Sequence, residues 1–534
     1  MLVPDAKNRV RAEQPYPRFS FLSILCPLIL VSYFFLHLWA VNLEHKLPLS
    51  KLFAPYAAAL LLTLLLWILF TLLFKDRLRA SFLTSIWVFL FLSYGHILNM
   101  LKTELTFPVY HRYTFPFFLF LFILSFAWIL KAKQAPASLR YFTLLSVLLV
   151  LIPLAQVAIF KVEGREYRPS SVRSISEISF NSPRDKPDIY LIVLDEYARA
   201  DILRSVLHFD NEPFLDSLRN KGFKVIPKST SNYFSTIYSL PSILNFRYHN
   251  SVLEDFDALT QKNRAASFLK ENFNYRYVVI DSGFIVTQGS PLADETISAH
   301  AAADDVLLMV INSTLLNAFS GKLLAEDWKR RHLYNFKELE KLPLQEGRPK
   351  FVFAHILLPH PPFVFHADEK RWLDSIRFSP KSYSKYKERY PQQLAYTNQL
   401  VRKLIEALIH NSSRPPVILL TSDHGIEPSN EDWEWLNHEA LHERTANFMA
   451  FYLPGMEEVK LSDSMTPVNI LRVVFDYYFG TKLGLLEDKI FLETDSDDPE
   501  AGLDQEKFMD VTGLVREFEK QQVKAPASEQ ALSS

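Results

Sequence analysis

The chain has 534 residues, room for two to four domains at roughly 150 residues each. Its 58 Lys and Arg stand against 59 Asp and Glu, a net charge of −1 that excludes a strongly basic nucleic-acid binder and an acidic disordered chain. A single cysteine, Cys26, excludes an intramolecular disulfide and any zinc cluster built from cysteines.

Residues 1–161 read as a membrane domain. Five apolar runs fall at about 19–42, 52–74, 81–101, 114–130 and 141–160, each near the ~20 residues that cross a ~30 Å hydrocarbon core as a helix. Pro116 stands near the start of the fourth run, where a first helical turn tolerates it. The pattern predicts five transmembrane helices. Lys and Arg in the short loops set their orientation. Lys7, Arg9, Arg11, Arg18, Lys75, Arg77, Arg79, Lys131, Lys133 and Arg140 fall on one side, against Lys46, Lys51, Lys102 and Arg112 on the other. The richer side is cytoplasmic by this rule, so everything after Phe160 lies outside the cytoplasm. The first run is too long for a signal-peptide core and ends in no small-residue cleavage site. Cys26, in its middle, does not suit a lipoprotein signal. A multi-pass protein of the plasma (inner) membrane is expected. His96 and Asn99, in or near the third run, read as helix-packing or interfacial residues.

Residues 162–186 are polar and broken by Pro, the pattern of a linker. From Pro187 short apolar runs recur at Ile189–Leu194, Tyr277–Ile280, Phe351–Ile356, Val417–Leu420 and Phe448–Leu453. Stretches with helical spacing lie between them, such as Leu400, Val401, Leu404, Ile405 and Leu408. Continuous apolar strands alternating with helices predict an α/β domain over 187–500 with a mostly parallel central sheet. Residues 501–534 are expected to be a disordered tail.

Ligands of open parallel sheets bind beyond the carboxyl ends of the strands. Three runs end in groups suited to a metal or a phosphate: Asp195-Glu196, then Pro359-His360-Pro361, then Ser422-Asp423-His424-Gly425. Each acid alone has a bland reading as a helix cap, and His360 as a loop residue. Together they favour an oxygen and nitrogen cage for a divalent cation, Zn or Mn. A hydroxyl-rich segment, residues 229–245, opens a short apolar helix near Thr236, where free N–H groups favour an anion. On that segment alone an ordinary Ser/Thr cap is the stronger reading.

In this order and spacing, the residues resemble the alkaline phosphatase superfamily. The likeness is to its membrane-anchored sulfatase-like branch, which includes lipoteichoic acid synthases and lipid A phosphoethanolamine transferases. The strand IYLIVLDEYARAD resembles the family's first metal-ligand strand, with Glu196 in the acidic position and Ala198-Arg199-Ala200 after it. Thr236, followed five residues later by Pro241, resembles the nucleophile segment, and His355 and His360 a pair of histidines entering the site. Asp423-His424-Gly425 is the superfamily's metal motif, and TPVNILRVVFDYYFG resembles the closing helix. His438 or His442 would supply a downstream histidine, with His442 preferred because ERTANFMAFYLPG follows it. The chain departs in three places. It has no cysteine in the soluble part, no Cys-x-Pro-x-Arg setting around Thr236, and Asp195 where the transferases carry Gly. Ordinary formylglycine sulfatase chemistry is therefore disfavoured, and Asp195 becomes an added candidate ligand.

The resemblance implies a metal-dependent enzyme. Glu196, Asp423, His424 and Asp195 would hold the cation, with Thr236 as further ligand and nucleophile and His360 and His442 as phosphoryl-binding or acid–base groups. The expected partners are the membrane, a phospholipid headgroup donor and an envelope glycan or lipid acceptor, with no nucleic acid. Tyr190 and Ser422 read as packing and second-layer residues. A hydrolase of phosphate or sulfate esters differs only in the acceptor. A non-catalytic scaffold and a transporter fit less well, because every ligand type is present and the spans carry almost no ionisable groups.

Overall fold

The computed structural model describes residues 22–43, 47, 49–104, 109–131, 135–162, 178–181, 186–252, 254–299, 305–368, 383–428, 437–456, 460–493 and 508–524. The expected linker lies mostly outside these, as do Lys7, Arg9, Arg11, Arg18, Lys46 and Lys133. The chain divides into two compact units, one of residues 1–164 with 306–320, the other of 165–305 with 321–534. The boundaries expected from composition did not anticipate that 306–320 leave the α/β part.

The first unit holds α1 (Leu25–Ala40), α2 (Leu49–Phe74), α3 (Arg77–Glu104), α4 (His111–Lys131) and α5 (Ala135–Val162). Among the described residues, four segments are long and apolar enough to cross a membrane: Leu49–Phe74, Arg77–Lys102, His111–Lys131 and Leu139–Val162. The first expected span appears as the shorter α1, of 16 residues. Asp76 caps α3, its Oδ1 accepting from the N–H groups of Leu78 and Arg79 at 2.9 and 3.2 Å. The spans differ in what they face. The α3 span is 56% buried inside the protein, whereas the α2 and α5 spans are 11% buried and turn rows of Leu outward. Such a surface is stable only in contact with other apolar matter. His96 packs its ring on Phe34 and His37 between helices.

The second unit is built on β1 (Ile189–Leu194), β2 (Lys224–Val225), β3 (Arg276–Asp281), β4 (Glu295–Ser298), β5 (Lys350–Ile356), β6 (Val417–Thr421) and β7 (Met449–Tyr452), with a hairpin of β8 (Phe491–Glu493) and β9 (Phe508–Asp510). Its helices are α6 (Ala200–Ser205), α7 (Glu212–Arg219), α8 (Thr236–Asn245), α9 (Phe256–Gln261) and α10 (Arg264–Phe273), then most of α12 (Asn317–Lys341), and α13 (Tyr383–Asn411), α14 (His438–Thr445), α15 (Ile470–Phe479) and α16 (Thr512–Lys524); α11 (Asp305–Ser313) belongs with the first unit. The order across the sheet is β2-β7-β6-β1-β5-β3-β4. β6, β1, β5, β3 and β4 run parallel, and β7 lies antiparallel to both β6 and β2.

β1 shows why the sheet is covered on both faces. All six of its residues are buried, and they alternate. Tyr190, Ile192 and Leu194 join Val401, Leu404 and Leu408 of α13 on one side. Ile189, Leu191 and Val193 join Phe268 of α10 and Phe475 of α15 on the other. Each such side chain contributes about 1.5–3 kcal/mol of transfer free energy. β1 lies between β5 and β6, so the ends of these three strands converge on one crevice.

The expected disordered tail is corrected over residues 508–524, which form β9 and α16. Val511 and Val515 repeat at helical spacing and bury against Phe234, Leu441, Ile490 and Leu492. That apolar face gives this short polar stretch a reason to order.

Candidate active site

β1 ends at Leu194, and the chain turns at once through Asp195 and Glu196. Glu196 takes a left-handed conformation, with φ of 62°, a strained choice for a residue with a side chain. The Asp195 N–H still donates to Ile356 O at 2.9 Å, continuing the sheet. The kink sends the two carboxylates to different neighbours. Asp195 Oδ1 stands 3.7 Å from His424 Nε2, and its Oδ2 stands 3.6 Å from His355 Nε2 on β5. Glu196 accepts a short hydrogen bond from the Tyr386 hydroxyl of α13, and its Oε2 lies 3.7 Å from His360 Nε2.

Past the end of β6, the Asp423 carboxylate gathers three donors. Oδ1 accepts from the N–H groups of Glu196 and His424 at 3.1 and 3.0 Å. Oδ2 accepts from Thr236 Oγ1 at 2.6 Å. Thr236 is the first residue of α8 and Ser235 the N-cap, so its hydroxyl stands at a helix N-terminus, 3.4 Å from His424 Nε2. Ser422 accepts from the Phe448 N–H and donates to Tyr197 O, holding the loop from behind. Gly425 answers a contact: a Cβ there would fall 2.2 Å from Glu443 O. Only glycine lets the end of α14 approach the Asp423-His424 turn so closely, and Gly425 N–H donates to Arg444 O at 2.6 Å.

That approach delivers Arg444, a residue not singled out in the sequence. Its Nε donates to Phe234 O and its Nη1 to Glu427 Oε1, both at 2.9 Å, and Nη2 stands 3.4 Å from His424 Nε2. Tyr386 and His332 were missed as well. His332, on α12, is buried and lies within electrostatic reach of Asp195, His355 and His360. Spacing offered no signal for these three, because each reaches the site from a helix whose phase the strand-end pattern does not specify.

His442 is a correction. It sits on α14, but its Nε2 contacts Arg199 Nη2 at 2.9 Å and Glu519 Oε1 of α16 at 3.4 Å. The helical register turns it away from the strand ends while bringing Arg444, two residues on, toward them. His438 opens α14 and is half-buried. A second difference concerns Glu196. The ligand atoms lying within 4.8 Å of one another belong to Asp195, Asp423 and His424, and Glu196 stands beside that set.

The electrostatics follow from burial. Burial pushes the Glu196 carboxyl up to about 7, against the pull of His360. Burial also raises Asp195, but His360, His355 and His424 outweigh it and hold Asp195 below the usual carboxylate range. Burial and Arg444 lower His424, and burial and Arg331 push His332 down to about 3. Enclosure pulls His360 down while Asp195 and Glu196 pull it up, and the carboxylates win.

Asp195 Oδ1, Glu196 Oε2 and both ring nitrogens of His355 and His332 are buried without a hydrogen-bond partner. Orphaned acceptors around a cluster of two carboxylates and an imidazole fit a divalent cation, since buried charge is otherwise costly.

A sulfatase family model matches residues 187–471. Among solved structures, the C-terminal periplasmic domain of EcEptC from Escherichia coli in complex with Zn is similar at 11% identity, covering 63% of this chain and 95% of that one, with a TM-score of 0.43. The integral membrane lipooligosaccharide phosphoethanolamine transferase A (EptA) from Neisseria meningitidis is similar at 14% identity, over 86% and 95% of the two chains, with a TM-score of 0.42. The phosphonate monoester hydrolase of Agrobacterium radiobacter is similar at 12% identity, over 59% and 82%, with a TM-score of 0.40. No curated protein matches the chain. The match over 187–471 takes in more than half of the chain and every residue of the strand-end cluster, so the protein belongs to the sulfatase family, enzymes that act on phosphate or sulfate ester bonds.

Proposed function

We propose that this chain is a membrane-anchored headgroup transferase. It would move a phosphoethanolamine or glycerophosphate unit from a phospholipid to an envelope glycan or lipid through a phospho-Thr236 intermediate. The observation that carries the reading is Thr236 Oγ1, at the start of α8 and 2.6 Å from Asp423 Oδ2. The hydroxyl is held inside a cage of acids and imidazoles, where a capping residue would bond its own helix instead. Asp195, Asp423 and His424 would hold the cation, with Glu196 and Thr236 beside them. When bound, a divalent cation lowers the pKa of a neighbouring hydroxyl and offsets charge on phosphoryl oxygens.

The chemistry of the chain's own residues runs in two displacements. Thr236 Oγ1 passes its proton to Asp423 Oδ2, which already accepts its hydrogen bond, and forms a bond to phosphorus as the bond to the diacylglycerol oxygen breaks. His360, whose side chain is 41% exposed, gives a proton to that leaving oxygen. Arg444 and the N-terminus of α8 face the charge that builds on the equatorial oxygens. The acceptor hydroxyl then attacks phosphorus and passes its proton to His360 as the Thr236 O–P bond breaks, and the freed Thr236 oxygen takes its proton back from Asp423. His442 has no part in this scheme, which leaves His438 as the downstream histidine.

The membrane helices support a lipid donor, because a tethered site meets its lipid at high effective concentration. We place the chain in the plasma (inner) membrane with α1 as a fifth span and the catalytic part outside the cytoplasm. The sulfatase match favours a second reading, hydrolysis of a phosphate or sulfate ester, in which water replaces the acceptor. Membranes carrying the full chain, given labelled phosphatidylethanolamine or phosphatidylglycerol, separate the two. Diacylglycerol release dependent on Thr236 is expected from one lipid. Turnover of a soluble ester with neither lipid consumed would replace the transferase by the hydrolase.

A further inference from the structure

Residues 306–320 belong to the α/β part by sequence position, yet they pack within the helical unit. Their composition is apolar: DVLLMVINSTLLNAFS carries no charge after Asp305. α11 ends at Ser313, and α12 starts at Asn317 after a turn. Sixteen residues folded into a helix, a turn and a helical start are too short to cross a ~30 Å core and fit a re-entrant segment.

The turn meets α3 closely. Leu315 N–H donates to Phe91 O at 2.9 Å. A Cβ on Gly95 would fall 2.0 Å from Asn312 O, so the contact requires glycine. Leu315 and Ala318 pack on Leu90, Tyr94, Leu98 and Phe118, and Phe319 meets Phe115 of α4 edge-on at 4.8 Å. Gly95 lies about 10 Å along α3 from Lys102 at 1.5 Å per residue, inside a half-core of about 15 Å.

Irregular backbone survives at such depth only where its polar groups are satisfied by protein. Here they are. Thr314 N–H and Oγ1 both reach Ile311 O, Asn317 N–H reaches Thr314 O, and the Asn317 side chain reaches Asn312 O at 2.9 Å. What remains outward is apolar: Leu316 is 47% exposed and Phe319 62%, and α4, which Phe319 meets at Phe115, also exposes Phe117 and Phe120.

We propose that residues 305–320 form a re-entrant hairpin in the Lys102-side leaflet, seated on α3 and α4, with Leu316 and Phe319 against lipid acyl chains. The hairpin gives the catalytic part a second membrane attachment, independent of the link through residues 162–186.

The test uses the full chain with Cys26→Ser and a protease site inserted at residue 170. After cleavage and an alkaline carbonate wash, the fragment from 171 onward should stay with the membranes, and Gly95→Leu should release it. A bimane probe on Phe319→Cys, an exposed position that leaves the fold intact, should be quenched severalfold by lipids spin-labelled on the acyl chain. The same probe on Lys221→Cys should not be quenched. Release of the fragment from the protein with an unchanged α3, or a Phe319 probe no more quenched than the Lys221 probe, would overturn the proposal.

Discussion

Replacing Arg444 with methionine removes a guanidinium that binds Glu427 at 2.9 Å, Phe234 O at 2.9 Å and approaches His424 at 3.4 Å. Its side chain is 11% exposed and that of Glu427 18%, so the pair is largely but not wholly desolvated. Breaking a fully buried pair costs about 3–5 kcal/mol, and the partial exposure here brings the expected stability loss to about 2–3 kcal/mol. Glu427 also raises Glu196, so the stranded acid adds repulsion inside the site. For the reaction, losing a preorganised charge on the phosphoryl oxygens is worth about 2.7 kcal/mol, roughly 100-fold in kcat/KM. The double variant Glu427→Gln/Arg444→Met separates the two effects. It removes the unpaired acid and should recover most of the stability while staying roughly 100-fold slow. Denaturant melts and turnover of a chromogenic phosphodiester measure both quantities on the same preparations. Activity restored along with stability in the double variant would show that Arg444 only props up α14.

Three other outcomes follow from the geometry. Chelation should lower the melting temperature of the native protein, and metal at 100 times its Kd should restore about 2.7 kcal/mol; Asp195→Asn should show a smaller response, and an equal response would remove Asp195 from the cation site. Burial raises Glu519, but its hydrogen bond with His442 and the charges of Arg199 and Arg516 hold it down to about 2 against an ordinary 4.5. The folded pKa is depressed, so this stabilisation is full above about pH 4.5 and is lost as pH falls through about 2; protease cleavage within α16 should rise across that window and should already be high at neutral pH in Glu519→Gln, and a pH-independent α16 would contradict it. His442→Gln should loosen α16 yet keep turnover within about threefold, whereas His360→Asn should lose roughly 100-fold; equal losses would return His442 to the chemistry.

Much of the site could be read from the residues because β1, β5 and β6 are continuous apolar runs. Strands buried on both faces announce themselves, and the polar groups just past Leu194, Ile356 and Thr421 mark the crevice. Which acid faces the cluster could not be read, since it depends on the positive φ at Glu196. His442 was misplaced because strand-end reasoning has no helical phase, and on α14 a shift of two residues exchanges His442 for Arg444. Residues 508–524 looked like tail because the apolar marks of their inner face, Val511, Leu514 and Val515, stand scattered among polar neighbours. The hairpin at 305–320 went unseen because a nine-residue apolar helix such as α11 reads equally well as soluble core.

The most direct test of the account is the mass of the peptide carrying Thr236 after the full-length protein is incubated with its lipid donor and no acceptor, then quenched in acid. The account predicts a Thr236 that bears phosphoethanolamine or glycerophosphate, equimolar with released diacylglycerol, and neither product from Thr236→Ala. Diacylglycerol formed at an undiminished rate by Thr236→Ala, with the native Thr236 unmodified, would contradict it.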